Sequence, residues 1–463
     1  KTTPQAVSGE VEEMLDEVRS RVTSRLGEVD DTFNRAIEDL TRFRDFLLGL
    51  ANKYSNAGGN IKAFAKAVEE IAKYVGDVKQ WYKDRVYPEV IELINGKGMI
   101  KRGKVHLKIV GNYATIFYTR TSMHIVIKGI GGTIIVIPPV LSEQVRQMME
   151  IGIMRTDGSI DKNGYHPHMG TAFLWQMLLW LLLYPGLNYV ALYGININKR
   201  KPIRLMWNLI ARSYELFEKP LPDEQANAND LILTLFGAIL GDGYVKDPSD
   251  GELEVMLTGT NKEEMDRWEN VIQKLGLRHY RSDKRFIKLG IAESYALEFT
   301  KKVYEIVAAK DPLLHEILMF LMQLHDAEKL RRFFTHLKMK KRRRGRYSVY
   351  INIIGRKCVL EGDRFRLHCD VKGENEAKKL IDVLSKYGKV YADNVHVETV
   401  DYIRIFIPRK TILRMIREND DLKEEIIRIL CLKYKDANDE KTRQRILRYL
   451  SEIAPTKGAA AVN

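Results

Sequence analysis

Residues Leu235–Gly243 read Leu-Phe-Gly-Ala-Ile-Leu-Gly-Asp-Gly, and Glu150–Gly158 read Glu-Ile-Gly-Ile-Met-Arg-Thr-Asp-Gly. Each closes an apolar helical run, Ser142–Thr156 and Asp230–Gly241, on an Asp-Gly turn signal. Small residues recur four apart in both, Gly237 with Gly241 and Gly152 with Thr156, so each pair shares one helix face. Such faces let two helices approach backbone to backbone. Packed that way, they would set Asp157 and Asp242 side by side, and adjacent carboxylates repel unless cations lie between them. Taken singly, an Asp-Gly after a helix is an ordinary C-terminal turn.

The correspondence continues downstream. Met169-Gly170-Thr171 answers Thr258-Gly259-Thr260, and Gly186-Leu187 with Tyr189 answers Gly276-Leu277 with Tyr280. Pro202-Ile203-Arg204-Leu205 answers Phe286-Ile287-Lys288-Leu289, and Ala211-Arg212-Ser213-Tyr214 answers Ala292-Glu293-Ser294-Tyr295. Each copy reads helix, Asp-Gly, two strands, helix, two strands, helix, with the aspartates 85 residues apart.

This repeat resembles the LAGLIDADG homing endonuclease family in its single-chain, two-motif form. Leu235–Gly243 keeps that family's small third residue and terminal Asp-Gly; Glu150–Gly158 follows the same plan more weakly. The resemblance spans residues 141–310 and implies an α+β fold of tandem αββαββα units. Their saddle-shaped antiparallel sheets would lie along double-stranded DNA, alternate side chains reaching the major groove. It implies Asp157 and Asp242 as the catalytic, metal-binding pair, helped by the carbonyls of Thr156 and Gly241. With oxygen ligands alone the expected ion is Mg²⁺, two or more being bound together with DNA. Family members carry a basic residue near the end of each unit's last strand, the place of Arg204 and Lys288 here. These are either catalytic groups or plain phosphate contacts. Expected DNA contacts are Lys199, Arg200 and Lys201 at the first hairpin, and Arg278, His279, Arg281, Lys284 and Arg285 at the second.

Two features depart from the family. Phe173–Tyr184 is far more apolar than its counterpart Lys262–Leu275, and Tyr165-His166-Pro167-His168 interrupts a DNA-facing strand. His166 and His168 stand two apart without a Cys or acidic partner in register, which disfavours a zinc site.

The remainder divides by composition. Residues 1–101 carry net −1 and form a helical hairpin or short coiled coil, a packing or self-association module; residues 102–463 carry +15 of the chain's +14 total. Residues 102–140 alternate β-branched runs with glycine turns and read as an antiparallel meander. The units occupy 141–225 and 226–310, followed by a helix and basic linker (311–346) and an α+β domain (347–463). In that last domain strand, helix, strand, strand and helix suggest a degenerate third unit, with Asp326 spaced 84 residues after Asp242 and Arg404 echoing Lys288. Coincidental spacing in a common supersecondary pattern explains it equally well.

Lys329–Arg346 holds ten basic residues and no acidic one, among them Lys338, Lys340, Lys341, Arg342, Arg343, Arg344 and Arg346. Such a run contacts nucleic acid or forms a solvated basic face. Residues 169–198 lack charge, but Pro185-Gly186 breaks the apolar run too early to span a bilayer. The alternative is a helix buried on all sides, covered by another domain or by a second copy of the chain. Three cysteines are too few and too irregularly spaced for a disulfide framework or zinc site. With no recognisable secretory leader, the expectation is a cytoplasmic, nucleoid-associated protein. The leading functional expectation is a Mg²⁺-dependent endonuclease cutting both strands of a long DNA site. The second is a non-cutting DNA- or RNA-binding derivative, maturase-like or regulatory. A membrane-associated or structural role is the third.

Overall fold

A computed structural model describes residues 9–454 except 104–105, 120–121, 199–201, 224, 248–252, 284, 339–346, 362–364, 372, 398–399 and 438. It comprises two compact units, Lys1–Met339 and Lys340–Asn463.

In the first unit α1 (Gly9–Arg25), α2 (Glu28–Lys53) and α3 (Gly58–Trp81) take up the mixed-charge N-terminus, and α4 (Tyr87–Glu92) ends it. The apolar stripe of α2, including Phe33, Leu40, Phe43 and Leu47, is buried against Phe64, Val68, Ile71 and Val75 of α3. Next comes the meander of β1 (Met99–Arg102), β2 (His106–Val110), β3 (Ala114–Thr119), β4 (Met123–Ile127) and β5 (Thr133–Ile137). The Glu89 carboxylate accepts hydrogen bonds from the backbone N–H groups of Asn112, Tyr113 and Ala114, each at 2.6 Å, and so pins the β2–β3 turn to the helices.

The first copy of the repeat is α5 (Glu143–Arg155), β6 (Gly158–Ile160), β7 (Pro167–Thr171), α6 (Leu174–Leu183), β8 (Gly186–Asn196) and β9 (Arg204–Ala211). The second is α7 (Ala228–Leu240), β10 (Tyr244–Val245), β11 (Glu254–Gly259), α8 (Lys262–Lys274), β12 (His279–Asp283), β13 (Ile287–Ala292) and α9 (Glu293–Lys310). Their strands pair in the same antiparallel order, β6-β7-β9-β8 and β10-β11-β13-β12. The fold is therefore α+β with a structurally repeated unit. One expected element is missing: Ala211–Tyr214 ends a strand and enters a turn, so among the described residues the first copy has no third helix.

The motif helices α5 and α7 pack on each other at their small residues. A Cβ on Gly152 would overlap the Thr234 carbonyl oxygen and lie 2.5 Å from the Ala238 nitrogen. A Cβ on Gly237 would run into the Met149 carbonyl, whose own Cα would be only 3.1 Å away. Only hydrogen fits at either position.

Residues 9–94 and 102–140 are not separate modules. β4 pairs with the far end of β8, and β5 with its near end, so the meander and the first copy form one nine-stranded sheet. The helices α2 and α3 lie against this sheet, and one hydrophobic core runs from Val11 to Phe334. The apolar stripe of residues 9–94 is thus spent within the chain and not on self-association.

All ten residues of α6 are buried, packed among α5, β7 and β9. Its expected role as a self-association surface is overturned, because the chain supplies its own cover. Thr32 and Ala36 of α2 reach the same region, lining a small cavity with Leu174, Arg204, Trp207 and Asp326. Burying each leucine is worth roughly 2 kcal/mol, enough to favour this arrangement over any exposed one. The amphipathic α8 lacks such cover and buries only Met265, Trp268, Val271 and Ile272. Among the described residues no helix is long and apolar enough to cross a membrane.

The first unit ends with α10 (Pro312–Leu321) and α11 (Glu328–Thr335). Asp326 belongs here and not to a third copy: its carboxylate accepts the Leu174 N–H and caps the start of α6.

The second unit contains β14 (Ser348–Ile351), β15 (Arg356–Glu361), β16 (Arg366–Val371), α12 (Glu374–Ser385), β17 (Tyr391–Val397), β18 (Val400–Ile407), α13 (Arg409–Met415), α14 (Asp420–Asp436) and α15 (Glu440–Ile453). Its strand order, β14-β15-β16-β18-β17, contains the order of the two copies, without a motif helix before β15 among the described residues. Cys358 and Cys369 form a disulfide, although three irregularly spaced cysteines gave no sign of a disulfide framework. The antiparallel β15–β16 register sets them opposite each other with Cα atoms 4.5 Å apart, a proximity invisible in their spacing.

Replacing Gly237 by valine should cost about 3 kcal/mol or more, because two backbones, not one flexible side chain, would have to separate. Denaturant unfolding of the Gly237→Val chain checks this; a midpoint matching wild type would mean that the helices do not meet there.

Candidate functional site

The α5–α7 contact delivers Asp157 and Asp242 just beyond the two helix C-termini. Their carboxyl groups come within hydrogen-bonding reach of each other, Asp157 half-buried and Asp242 exposed. Burial, reinforced by the hydrogen bond to Asp242 and its charge, pushes the Asp157 carboxyl well above the usual carboxylate range. Two like charges about 4 Å apart in such a setting repel by about 4 kcal/mol, so an unaided pair would not stay doubly ionised.

The pair has help that sequence reasoning missed. Gln176 Nε2 donates to Asp157 Oδ2 at 2.9 Å and to the Leu240 carbonyl at 2.8 Å. Thr171 Oγ1 donates in turn to the Gln176 carbonyl oxygen and fixes the amide's orientation. The signal for Gln176 was present: it is the one polar residue between Leu174 and Leu183.

Lys329 of α11 supplies the second support. Its ammonium donates to the Gly241 carbonyl, to Leu240 at 3.2 Å and to Ile239 at 3.4 Å, covering the last turn of α7. A cation is favoured at a helix C-terminus, where carbonyls lack intrahelical partners. Burial lowers the Lys329 pKa, while the charges of Asp157 and Asp242 oppose that shift. The Lys219 ammonium also feels both aspartates; burial lowers its pKa, and Glu264 opposes the change first. Nothing in the linear sequence connects Lys329 or Lys219 to the motif.

Lys329 is held in place by its own segment. His325 donates through Nδ1 to Asp39 Oδ2 of α2 at 2.6 Å, and Asp326 caps α6. Residues 325–329 thus join the N-terminal helices, the first copy and the acidic pair.

These contacts bear on the expected metal. Asp157, Asp242 and the Gly241 carbonyl form an oxygen-only donor set of the kind Mg²⁺ takes. Gln176 takes Asp157 Oδ2 and Lys329 takes the Gly241 carbonyl, so the set as arranged offers an ion fewer free oxygens and a competing cation. Among the described residues no group of three or more His, Cys, Asp or Glu side chains could hold a metal. Thr156, expected to lend a carbonyl, donates its hydroxyl back to the Gly152 carbonyl at 3.0 Å.

The basic candidates separate. Lys288 is exposed and pairs in register with Thr258 and Ser282. In the first copy the position opposite Gly170, which the sheet register makes equivalent, belongs to Asn208 and not to Arg204. Asn208 accepts from His168 Nε2, whose Nδ1 lies 2.6 Å from the Ser159 hydroxyl, so a polar chain crosses β9, β7 and β6. Arg204 lies at the other end of β9, over the Phe173 ring at 4.3 Å. His166 points elsewhere, its Nδ1 donating to the Tyr214 carbonyl at 2.7 Å, so the two histidines do not converge.

Arg281 is engaged by Asp266, Glu269 and Asp283, and His279 by Glu269 at 3.0 Å. Their polar groups turn toward α8 acids. Arg285 lies exposed against Phe286, and Arg278 is also engaged in contacts of its own. Lys199, Arg200, Lys201, Lys284, Lys340, Lys341, Arg342, Arg343, Arg344 and Arg346, with the side chain of Lys338, lie outside the described residues. In the second unit Arg404, the echo of Lys288, is neutralised by Asp370 at 2.6 and 2.9 Å.

No family model and no curated protein matches the chain. Among solved structures, the N-terminal LAGLIDADG domain of DUF199/WhiA is similar at 15% identity, over 35% of this chain and 84% of that one, with TM-score 0.27. Full-length DUF199/WhiA from Thermatoga maritima is similar at 13% identity, over 68% of this chain and 93% of that one, with TM-score 0.26. Likenesses this distant carry no weight below.

The His325–Asp39 contact makes stability depend on pH. Burial pushes His325 down, but its hydrogen bond to Asp39 and the charges of Asp326 and Asp39 outweigh it and hold its pKa above 6.5. Asp39 is held below 3.8: burial opposes, and the bonds from His325 prevail. The histidine's contribution is complete below pH 6.5 and is lost as pH rises through its raised value; the aspartate's is complete above 3.8 and is lost on acidification. With the imidazole partly exposed, the loss should be on the order of 1 kcal/mol. Thermal unfolding should show a lower midpoint on the alkaline side, and Asp39→Asn should flatten that slope. An unchanged slope would refute the pairing.

Proposed function

We propose that the chain binds double-stranded DNA across the open faces of its two repeated sheets. The observation that carries this reading is a cross-strand row on the first sheet. Register places Lys101, Lys108, Phe117, His124, Asn196 and Arg204 side by side across β1, β2, β3, β4, β8 and β9. Along β9 the half-buried residues of this face alternate with buried Leu205, Trp207 and Leu209, so one face serves the core and the other meets solvent. Lys108 sits over the Phe117 ring at 4.7 Å, which stacks on His124, and this fixes a cation on an otherwise flexible stem. Lys288 and Arg285 provide the exposed cations of the second sheet.

The net charge of +14 supports binding to a polyanion and counts for little about sequence preference. Phosphate contacts position a protein on a duplex, while strand side chains such as Asn208, Asn196 and Thr258 are the type that reads base edges.

A second reading is a Mg²⁺-dependent endonuclease that cuts both strands, and the acidic pair favours it. Asp157 and Asp242 would hold the ion, whose chemistry is to polarise a phosphate and lower the pKa of bound water. That reading requires the ion to compete with Lys329 at the Gly241 carbonyl.

Fluorescence anisotropy with duplex DNA tests the first reading. Affinity should fall steeply between about 50 and 200 mM salt, and Lys101→Ala with Lys108→Ala should flatten the log–log slope by about 1 to 2. Asp157→Asn and Asp242→Asn should leave binding in place. A slope unmoved by the lysine changes would remove the meander from the interface. Supercoiled plasmid with Mg²⁺, and Ca²⁺ as control, tests the second reading: nicking that disappears with Asp242→Asn would establish it.

A further inference from the structure

We propose that Lys329 is a built-in counter-cation at the C-terminus of α7 that supplies the charge a divalent ion would bring to the acidic pair, leaving that centre closed to metal.

Position is the first ground. The Lys329 ammonium bonds the carbonyl of Gly241, the residue immediately before Asp242, together with the carbonyls of Leu240 and Ile239. It is also within electrostatic reach of both Asp157 and Asp242. One positive group therefore satisfies the helix end and offsets the charge of both acids.

Delivery is the second ground. A lysine on a mobile surface loop would exchange readily with Mg²⁺ from solution. Here the segment before Lys329 is fastened twice, by His325 to Asp39 of α2 and by Asp326 to the first turn of α6. The ammonium is presented at fixed range, so an ion would have to displace a tethered group and not merely a water. Gln176 holds one carboxylate oxygen of Asp157 and leaves an ion fewer free ligands.

Chemistry is the third ground. An ammonium carries one charge, three donors and no acceptor. It relieves carboxylate repulsion and satisfies carbonyls, but it cannot activate a water molecule as a coordinated divalent ion does. The consequence is a stable acidic pair that serves the helix junction, and a scaffold that holds DNA without hydrolysing it. This last consequence rests on the DNA-binding reading; the occupancy of the site by Lys329 does not.

The test is metal titration of the full chain by calorimetry without DNA, with Mg²⁺ as the only probe. Wild type should show no saturable binding that depends on Asp242. Lys329→Met, which keeps the stem and removes the charge, should bind Mg²⁺ at least tenfold more tightly, and adding Asp242→Asn should abolish that gain. Lys329→Arg should remain closed to the ion. Asp242-dependent Mg²⁺ binding by wild type would overturn the proposal, as would a folded Lys329→Met chain that binds no better. If Lys329→Met fails to fold, wild type against Asp242→Asn decides alone. The readout contains no nucleic acid, so failure of DNA binding leaves it unaffected.

Discussion

The contact between the backbones of α5 and α7 is the constraint on which the rest of the first unit depends. Where Gly152 meets Thr234 and Gly237 meets Met149, no side-chain atom fits between the helices. Nearness of this kind makes the helix ends converge and places two aspartates together. Each sheet follows directly from its own motif helix. The interaction is steric in origin and electrostatic in consequence. Close packing stabilises the junction, and the same packing creates a repulsion that the surrounding residues must offset.

Much of the surrounding structure reads as that offset. Gln176 and Lys329 come from elements far apart in the chain, yet both send N–H donors to the same helix end. Lys329 arrives on a segment tied to α2, so the N-terminal helices bear indirectly on the acidic centre. Thr32 and Ala36 of α2 also reach the start of α6, whose first turn is capped by Asp326 and whose uncharged surface would otherwise call for a partner. The appended regions therefore complete the repeated units, and the meander widens the open face of one of them.

Legibility varied with the range of the interaction. The repeat, both Asp-Gly ends and nearly every strand of the meander follow from local periodicity and turn residues, and they stand where expected. Arg204 and Lys288 align in sequence but not in register, because β9 runs past the equivalent point and only pairing shows where each residue falls. Arg281 and His279 looked like free cations until α8 brought Glu269 against them. Asp326 had a suggestive spacing and proved to be a helix cap. Cys358 and Cys369 become partners only through an antiparallel register.

The sequence by itself determined the repeated unit, the small-residue helix faces and the identity of the two acids, because each is written in spacings shorter than one helix or strand. Tertiary structure alone decided what surrounds those acids. A lysine 87 residues after Asp242 and a glutamine 19 residues after Asp157 carry no local mark of their role. Their positions follow from how α6 and α11 pack, and packing is a property of the whole core. Local spacing therefore names the carboxylates, and only the packed core decides which donors and cations stand around them.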